Sequence, residues 1–471
     1  MSFALNQFTG FGVPSSLFPE ASASWSFASN ESLTDDSGTY TADFEIIGNG
    51  TVTNTSKIGS DGEMDYHTAD GANPRWDYFP TGDNNPRGLM IEQGEASIAS
   101  PGSANDNHID FSYELNSNSW WAESGVSING GETDPAGGTD AYAHIPSGSS
   151  NVKTNTSSSM NISSISVGDD VFFSIFFKSG DTNARYFMLS CDTGAETTRH
   201  VIDSQNQTFT DEDGSYVDRG IEDYGNGWYR VWVLATAATQ TSGMGFIYYF
   251  GDGPDIADHT GAWAGNGSDE IIMYGAHIGV DAPMAYKHCT VDDVNHIGDK
   301  FKLDTSTDIP NFDEDKGTLY AYIELRYGTD NWINYVFSVD NDTNNTDYFL
   351  LSMDGRDGYP AVSCQLREGG SLRDSFTRTQ ITQLHGNFYK IAMTWDSTAD
   401  ELKVYVNGLL IDTLTSGGNW PGAGDLTNIG LARLYTGSTR GSIWVREFKY
   451  WDSAIKEDHA KFLTTINVQP S

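Results

Sequence analysis

Between Phe388 and Thr413 the chain reads FYKIAMTWDSTADELKVYVNGLLIDT, and no other stretch limits its possible folds as strongly. Apolar and polar residues alternate over Tyr389–Trp395 and again over Glu401–Val406, with a polar turn, Asp396–Asp400, between them. A period of two sends successive side chains to opposite faces of a sheet. Asn407-Gly408 then leads into a third run, Leu409–Thr413. Asn-Gly is a strong hairpin signal, because a type I′ turn needs positive φ at both central residues. The stretch therefore predicts three consecutive antiparallel strands.

Composition extends this reading to the whole chain. Fifty glycines in 471 residues, abundant Ser, Thr, Asn and Asp, and short aromatic-rich runs belong to an all-β class with many turns. Further strands are expected at Asp43–Thr53, Val171–Lys178, Arg185–Ser190, Trp228–Ala235, Gly245–Phe250, Glu270–His277, Leu319–Leu325, Tyr335–Val339 and Tyr348–Met353. The length suits two to four domains. The apolar rhythm lapses over His288–Asp299, which reads as a domain boundary open to limited proteolysis near Asp292–Asp299. No run approaches the roughly 18 apolar residues of a membrane helix, so membrane insertion is not expected. The start, MSFALNQFTGFGVP, lacks a basic region and a long apolar core, unlike a secretory signal. Cys191, Cys289 and Cys364 form neither a zinc pattern nor a disulfide framework, which fits folding in a reducing cytosol.

The formal charge is −39, and upstream of Lys153 the only basic residues are Lys57, Arg75 and Arg87. Phosphate backbones would repel such a chain, so nucleic acid is excluded as a partner. The carboxylates read either as a solvated surface or, for some of them, as calcium ligands. The loop Asp340–Asp347 (DNDTNNTD) offers Asp340, Asp342, Asn344 and Asp347 as candidate ligands. An EF-hand would need Gly at its sixth position and Glu at its twelfth, where Asn345 and Leu351 stand. The other reading of this loop is a solvated hairpin connection. No cofactor is required.

A strand ending in TWD, a turn, then L-x-V-Y-V-N-G and a short apolar strand resembles the laminin G/concanavalin A-like lectin fold. Lys390–Asp396 and Leu402–Gly408 carry those residues here. Asn428–Leu431 (NIGL) and Ser442–Trp451 (SIWVREFKYW) resemble the closing strands of that family, and Asp452–Leu463 its short C-terminal helix. The resemblance covers about residues 300–465 and implies a β-sandwich; it carries no one chemistry.

Upstream, Pro74–Glu92 (PRWDYFPTGDNNPRGLMIE) resembles a segment of tailed-phage virion proteins, an aromatic-Asp strand followed by P-x-G-L-L-I-E. Further pieces follow in the same order: Asp110–Trp121, Val171–Gly180 (VFFSIFFKSG), Gly225–Trp232 (GNGWYRVW) and Ile271–Tyr286 (IIMYGAHIGVDAPMAY). Met90 stands for the usual Leu, His277 for Gln and Gly279 for Glu. The resemblance implies a jelly-roll sandwich similar to carbohydrate-binding modules. The expected organisation is thus two tandem β-sandwich (jelly-roll) domains, residues 46–295 and 300–465. An N-terminal attachment arm, residues 1–45, precedes them and a short C-terminal helix follows.

The search for catalytic patterns returns little. The Glu-x-Asp-x-x-Glu strand of retaining glycosidases has its nearest counterpart in Glu63-Met64-Asp65, which lacks the last Glu. There is no His-Glu-x-x-His, Gly-x-Ser-x-Gly or P-loop. The expectation is not an enzyme. Aromatic rings among turn residues are the candidates for stacking on sugars: Trp420 in GGNWPGAG, Trp332, Tyr359, Tyr435 and, beside Trp121, Trp120. The resemblance implies a virion fibre or spike, assembled in the host cytoplasm. It would be a homotrimer, held to other virion proteins by its arm and meeting host-surface glycan without cutting it. A secreted carbohydrate-binding lectin and a glycoside hydrolase of the concanavalin A-like fold are the alternatives.

Overall fold

Asn407 and Gly408 have φ of 49° and 85°, both positive as a type I′ turn requires. They join Glu401–Val406 to Leu409–Leu414, and Phe388–Asp396 pairs with the first of these. The structure is a computed structural model. It describes residues 19–46, 52–58, 64–69, 75–78, 86–91, 115–116, 121–148, 153–156, 170–193, 197–236, 245–260, 263, 265–280, 286, 299–325, 333–341, 346–354, 361–378, 388–421, 426–432 and 443–465.

The architecture is all-β with a short C-terminal helix, Glu457–Thr464. The three-strand meander lies at one end of an eight-stranded sheet that continues through Lys316–Leu325 and Ile443–Trp451. A seven-stranded sheet packs against it, with the order Asp43–Ile46, Asp299–Asp304, Asn428–Leu431, Ile333–Asp340, Tyr348–Asp354, Ala361–Glu368, Ser371–Arg378. Alternate residues of both sheets enter one core, including Phe301, Val339, Phe349, Leu351, Cys364, Ile391, Trp395, Val404 and Val445. Two six-stranded sheets form a second sandwich from residues 121–280, whose core holds Phe173, Ile175, Phe187, Leu189, Val231 and Ile278. Cys191 and Cys364 are buried free thiols in different cores, and Cys289 lies outside the described residues.

Apart from Asp43–Thr53, the strands expected from alternation appear within a few residues of their expected ends; Asp43–Thr53 is instead divided between Asp43–Ile46 and Val52–Ile58, which belong to different sheets. The division of the chain does not follow the expectation. Arg75–Tyr78 and Pro86–Ile91, expected in the first sandwich, extend the eight-stranded sheet beside Ile443–Trp451. Within the expected arm, Ala23–Trp25 pairs with Ile443–Trp451 and Asp43–Ile46 with Asp299–Asp304. Trp25 and Phe27 are fully buried in the C-terminal sandwich core. Of the arm, residues 1–18 lie outside the described residues, as do positions 287–298, which include most of the expected boundary. The sandwich of residues 121–280 is thus an insertion into the other. Period-two patterning shows which residues form strands, but it does not encode the partner of an edge strand.

A cluster on the outer face of the eight-stranded sheet holds its N-terminal strands in place. The Arg87 guanidinium lies 3.2 Å from the Trp444 ring centroid, and its Nε donates to Glu324 Oε2 at 2.8 Å while Nη2 donates to Oε1. Trp444 Nε1 donates to Asp77 Oδ2. Glu324 and Asp77 are only 2% and 4% exposed, so without their donors they would be charges stranded away from water. Gly88, at φ +128°, completes the fit, since a Cβ there would lie 2.4 Å from the Val445 carbonyl oxygen.

Replacing Arg87 with Ala removes the donors to a buried carboxylate and should cost about 3–5 kcal/mol, read as a lowered urea midpoint of the C-terminal sandwich. A fragment of residues 298–465 lacks the segments carrying Trp25, Phe27, Leu89 and Ile91, which sit in its core. We expect it to be insoluble or molten by near-ultraviolet circular dichroism, whereas the full chain is not.

Candidate functional site

The seven-stranded sheet turns one face to the core and the other outward, and register aligns the outward residues in rows. One row runs Asp304, Asn428, Asp340, Tyr348, Arg367, and the next Lys302, Gly430, Ser338, Leu350, Gln365, Ser375. The centre of this face is shielded although it points away from the core. Ser338 and Asp340 are fully buried, and Tyr348, Asn428, Leu350 and Tyr335 nearly so. Lys302, Asp304, Gln365 and Arg367 are half-buried around them.

Several of these groups position one another. Tyr348 Oη donates to Gln365 Oε1 at 3.0 Å, and the Arg367 guanidinium sits 5.5 Å from the Tyr348 ring centroid. Arg367 Nη1 donates to the Gly370 carbonyl at 3.3 Å. Asp304 is held below the usual carboxylate range by the hydroxyl and backbone N–H of Ser306. Ser338 Oγ and Arg367 Nε are buried with no hydrogen-bond partner. Tyr348 is itself buried and orients its neighbours, so the half-buried Gln365 and Arg367 are the groups on this face that can bond a ligand hydroxyl.

Of the residues singled out from sequence, Asp340 and Asp347 belong to this region. Asp340 ends Ile333–Asp340 between Asn428 and Tyr348, while Asp347 Oδ1 accepts from Gly369 N at 2.8 Å and clamps the turn at Gly369-Gly370. Asp342 and Asn344 lie outside the described residues, and no group of three or more His, Cys, Asp or Glu suited to a metal occurs among the described ones. Trp120, Trp332, Tyr359 and Tyr435 also lie outside the described residues.

Trp420 does not stand out as an exposed ring. It is half-buried, packs on the C-terminal core 5.7 Å from the Phe349 ring, and its Nε1 donates to Asp400 Oδ1 at 2.9 Å. Asp400 is the organiser of that corner. At φ 57° it turns its carboxylate to accept also from Ser416 N at 3.0 Å, Ser416 Oγ at 2.6 Å and Gly417 N at 3.1 Å. Glycine and proline neighbours could not bury the indole locally, but a contact twenty residues upstream does. Trp228, which opens a strand after the turn at Gly225–Gly227, is 1% exposed and belongs to the packing of the inserted sandwich. Ser338, Gln365 and Arg367 were not legible as site residues, because their proximity follows from strand order.

Residues 298–460 match the laminin G form of the concanavalin A-like lectin/glucanases superfamily, so this part of the chain is a lectin-like domain. No curated protein matches the sequence. Among solved structures, the chain is similar to the CBM40 module of the Ruminococcus gnavus IT-sialidase bound to α2,3 sialyllactose. That match has 20% identity, 32% of this chain, 83% of the other and a TM-score of 0.28. The NanB sialidase of Streptococcus pneumoniae matches at 15% identity over 36% of this chain and 27% of the other, with a TM-score of 0.29. A heptameric SAP-like pentraxin of Limulus polyphemus matches at 17% identity over 33% and 73%, with a TM-score of 0.27.

The Asp400 corner gives a pH dependence. Its carboxyl is lowered to about 2, first by the Ser416 hydroxyl. A depressed carboxylate adds stability that is complete above its ordinary value and is lost as pH falls through about 2. Asp400→Asn should lower the melting temperature at neutral pH by roughly 2–4 °C, with the gap to wild type closing below about pH 3. A gap that is constant across that range would locate the effect elsewhere.

Proposed function

We propose that this protein is a fibre or spike subunit of a tailed-phage virion. In this reading it holds host-surface glycan on the outward face of the seven-stranded sheet without cleaving it. What supports the glycan part is the lectin-like match of residues 298–460 together with Gln365 and Arg367, half-buried on that outward face. Lys302 and Arg367 share the face with Asp304 and Asp340, in a chain of net charge −39. Neutral or weakly acidic glycan suits that setting, whereas a strongly anionic polymer would meet long-range repulsion.

The virion assignment rests on the ordered sequence pieces between Pro74 and Tyr286. In this reading residues 1–18 carry the particle attachment, the fibre is a homotrimer, and calcium is not needed for binding. Deleting residues 1–18 should then leave a soluble trimer by light scattering that no longer joins particles. Antibody labelling of virions places the protein directly, and labelling that finds it only in the culture medium would favour a secreted lectin.

Gln365→Ala combined with Arg367→Ala should leave the circular dichroism unchanged and weaken adsorption to host cells at least roughly tenfold, the value of about one charge-assisted hydrogen bond. Unchanged adsorption would remove this face from the site. Release of reducing ends from host polysaccharide by the purified protein would contradict the non-catalytic reading.

A further inference from the structure

The stretches that resemble virion proteins are scattered over more than two hundred residues, yet their aromatic members meet in one place. Phe176, Trp228, Tyr274 and Tyr286 are buried together with Met64, Ala141 and Tyr224. The Phe176 ring lies 4.9 Å from Tyr224 and 5.3 Å from Tyr286, both edge-on, and Tyr274 lies 5.7 Å from Tyr286. Gly275, at φ +59°, makes room for them, because a Cβ there would lie 2.8 Å from Tyr286 Cζ and 3.2 Å from Phe176 Cδ2. Trp76, from the first of the stretches, packs against this cluster and against the core of the other sandwich, 5.9 Å from Phe27.

The same surface of the inserted sandwich is sealed beyond these rings. Phe172, Ser174, Arg230, Trp232 and His277 face away from its core, yet none is more than 1% exposed. Arg230 donates to Ser174 Oγ from Nε at 3.0 Å and Nη2 at 2.8 Å, and its guanidinium lies between the Phe172 and Phe176 rings, 5.2 and 5.5 Å from their centroids. Nη2 also lies 3.2 Å from His277 Nδ1, so the histidine that replaces the usual glutamine still offers an acceptor. A free-standing antiparallel sandwich leaves the outer face of each sheet to water. The middle of this sheet is buried on both faces, and uncovering it would expose aromatic surface and a buried guanidinium at once.

We propose that this aromatic cluster is a joint that makes the inserted sandwich and the lectin-like sandwich a single cooperative body, with a fixed orientation between them. The proposal does not rest on the glycan reading. Hydrogen exchange of the full-length protein along a thermal ramp tests it, since peptides from each core report their own midpoint. In wild type both cores should lose protection at one midpoint. Leu189→Ala, deep in the insert core, should lower both midpoints together. Tyr286→Ala should separate them by at least roughly 5 °C. Different midpoints in wild type, a Leu189→Ala effect confined to the insert, or coincident midpoints in Tyr286→Ala would each overturn the proposal. Should Tyr286→Ala fail to fold, wild type and Leu189→Ala decide it.

Discussion

A half-buried guanidinium binds the two separated parts of the lectin-like sandwich, and much else depends on that contact. Arg87 precedes the insertion, whereas Glu324 and Trp444 follow it. Their union lets Arg75–Tyr78 and Pro86–Ile91 complete a sheet whose other strands, Ala23–Trp25 apart, lie more than two hundred residues downstream. Paired and hydrogen-bonded, the charges are tolerable in a dry place; singly they would not be. The cluster therefore acts as a test of correct assembly, because only the right edge strand brings both Asp77 and Arg87 to Trp444.

The insertion changes what the sequence pieces mean. PRWDY and PRGLMIE resemble parts of one module, but in space they are the margin of the other sandwich and its contact with the insert. Trp76 reaches two cores, Asp77 receives the Trp444 indole, and Gly88 allows close approach of the Val445 backbone. Residues that recur together in sequence thus serve a shared boundary. Such a boundary demands simultaneous fit from both sides, which constrains side chains more tightly than a sandwich core does.

The outward face of the seven-stranded sheet and the Asp400 corner show two uses of polar groups. At the corner one carboxylate gathers four donors and fixes a loop, leaving Trp420 as packing. On the sheet face, Tyr348, Gln365 and Arg367 orient one another while Ser338 Oγ and Arg367 Nε stay unused. Spent hydrogen-bonding capacity marks scaffold, and the half-buried Gln365 and Arg367 are groups of this face that solvent still reaches.

What the sequence alone determined is local. Alternation set the strands, Asn407-Gly408 set a hairpin, and the run from TWD to VNG carried the lectin-like fold, because period and turn chemistry act within a few residues. Strand partnership across long separations was decided only in three dimensions. The pairing of Ala23–Trp25 with Phe448–Tyr450, the burial of Trp420 by Phe349 and Asp400, and the row from Asp304 to Arg367 depend on sheet order. No local pattern encodes sheet order: backbone hydrogen bonds are the same for every partner, and the choice is made by which side chains fill a common core.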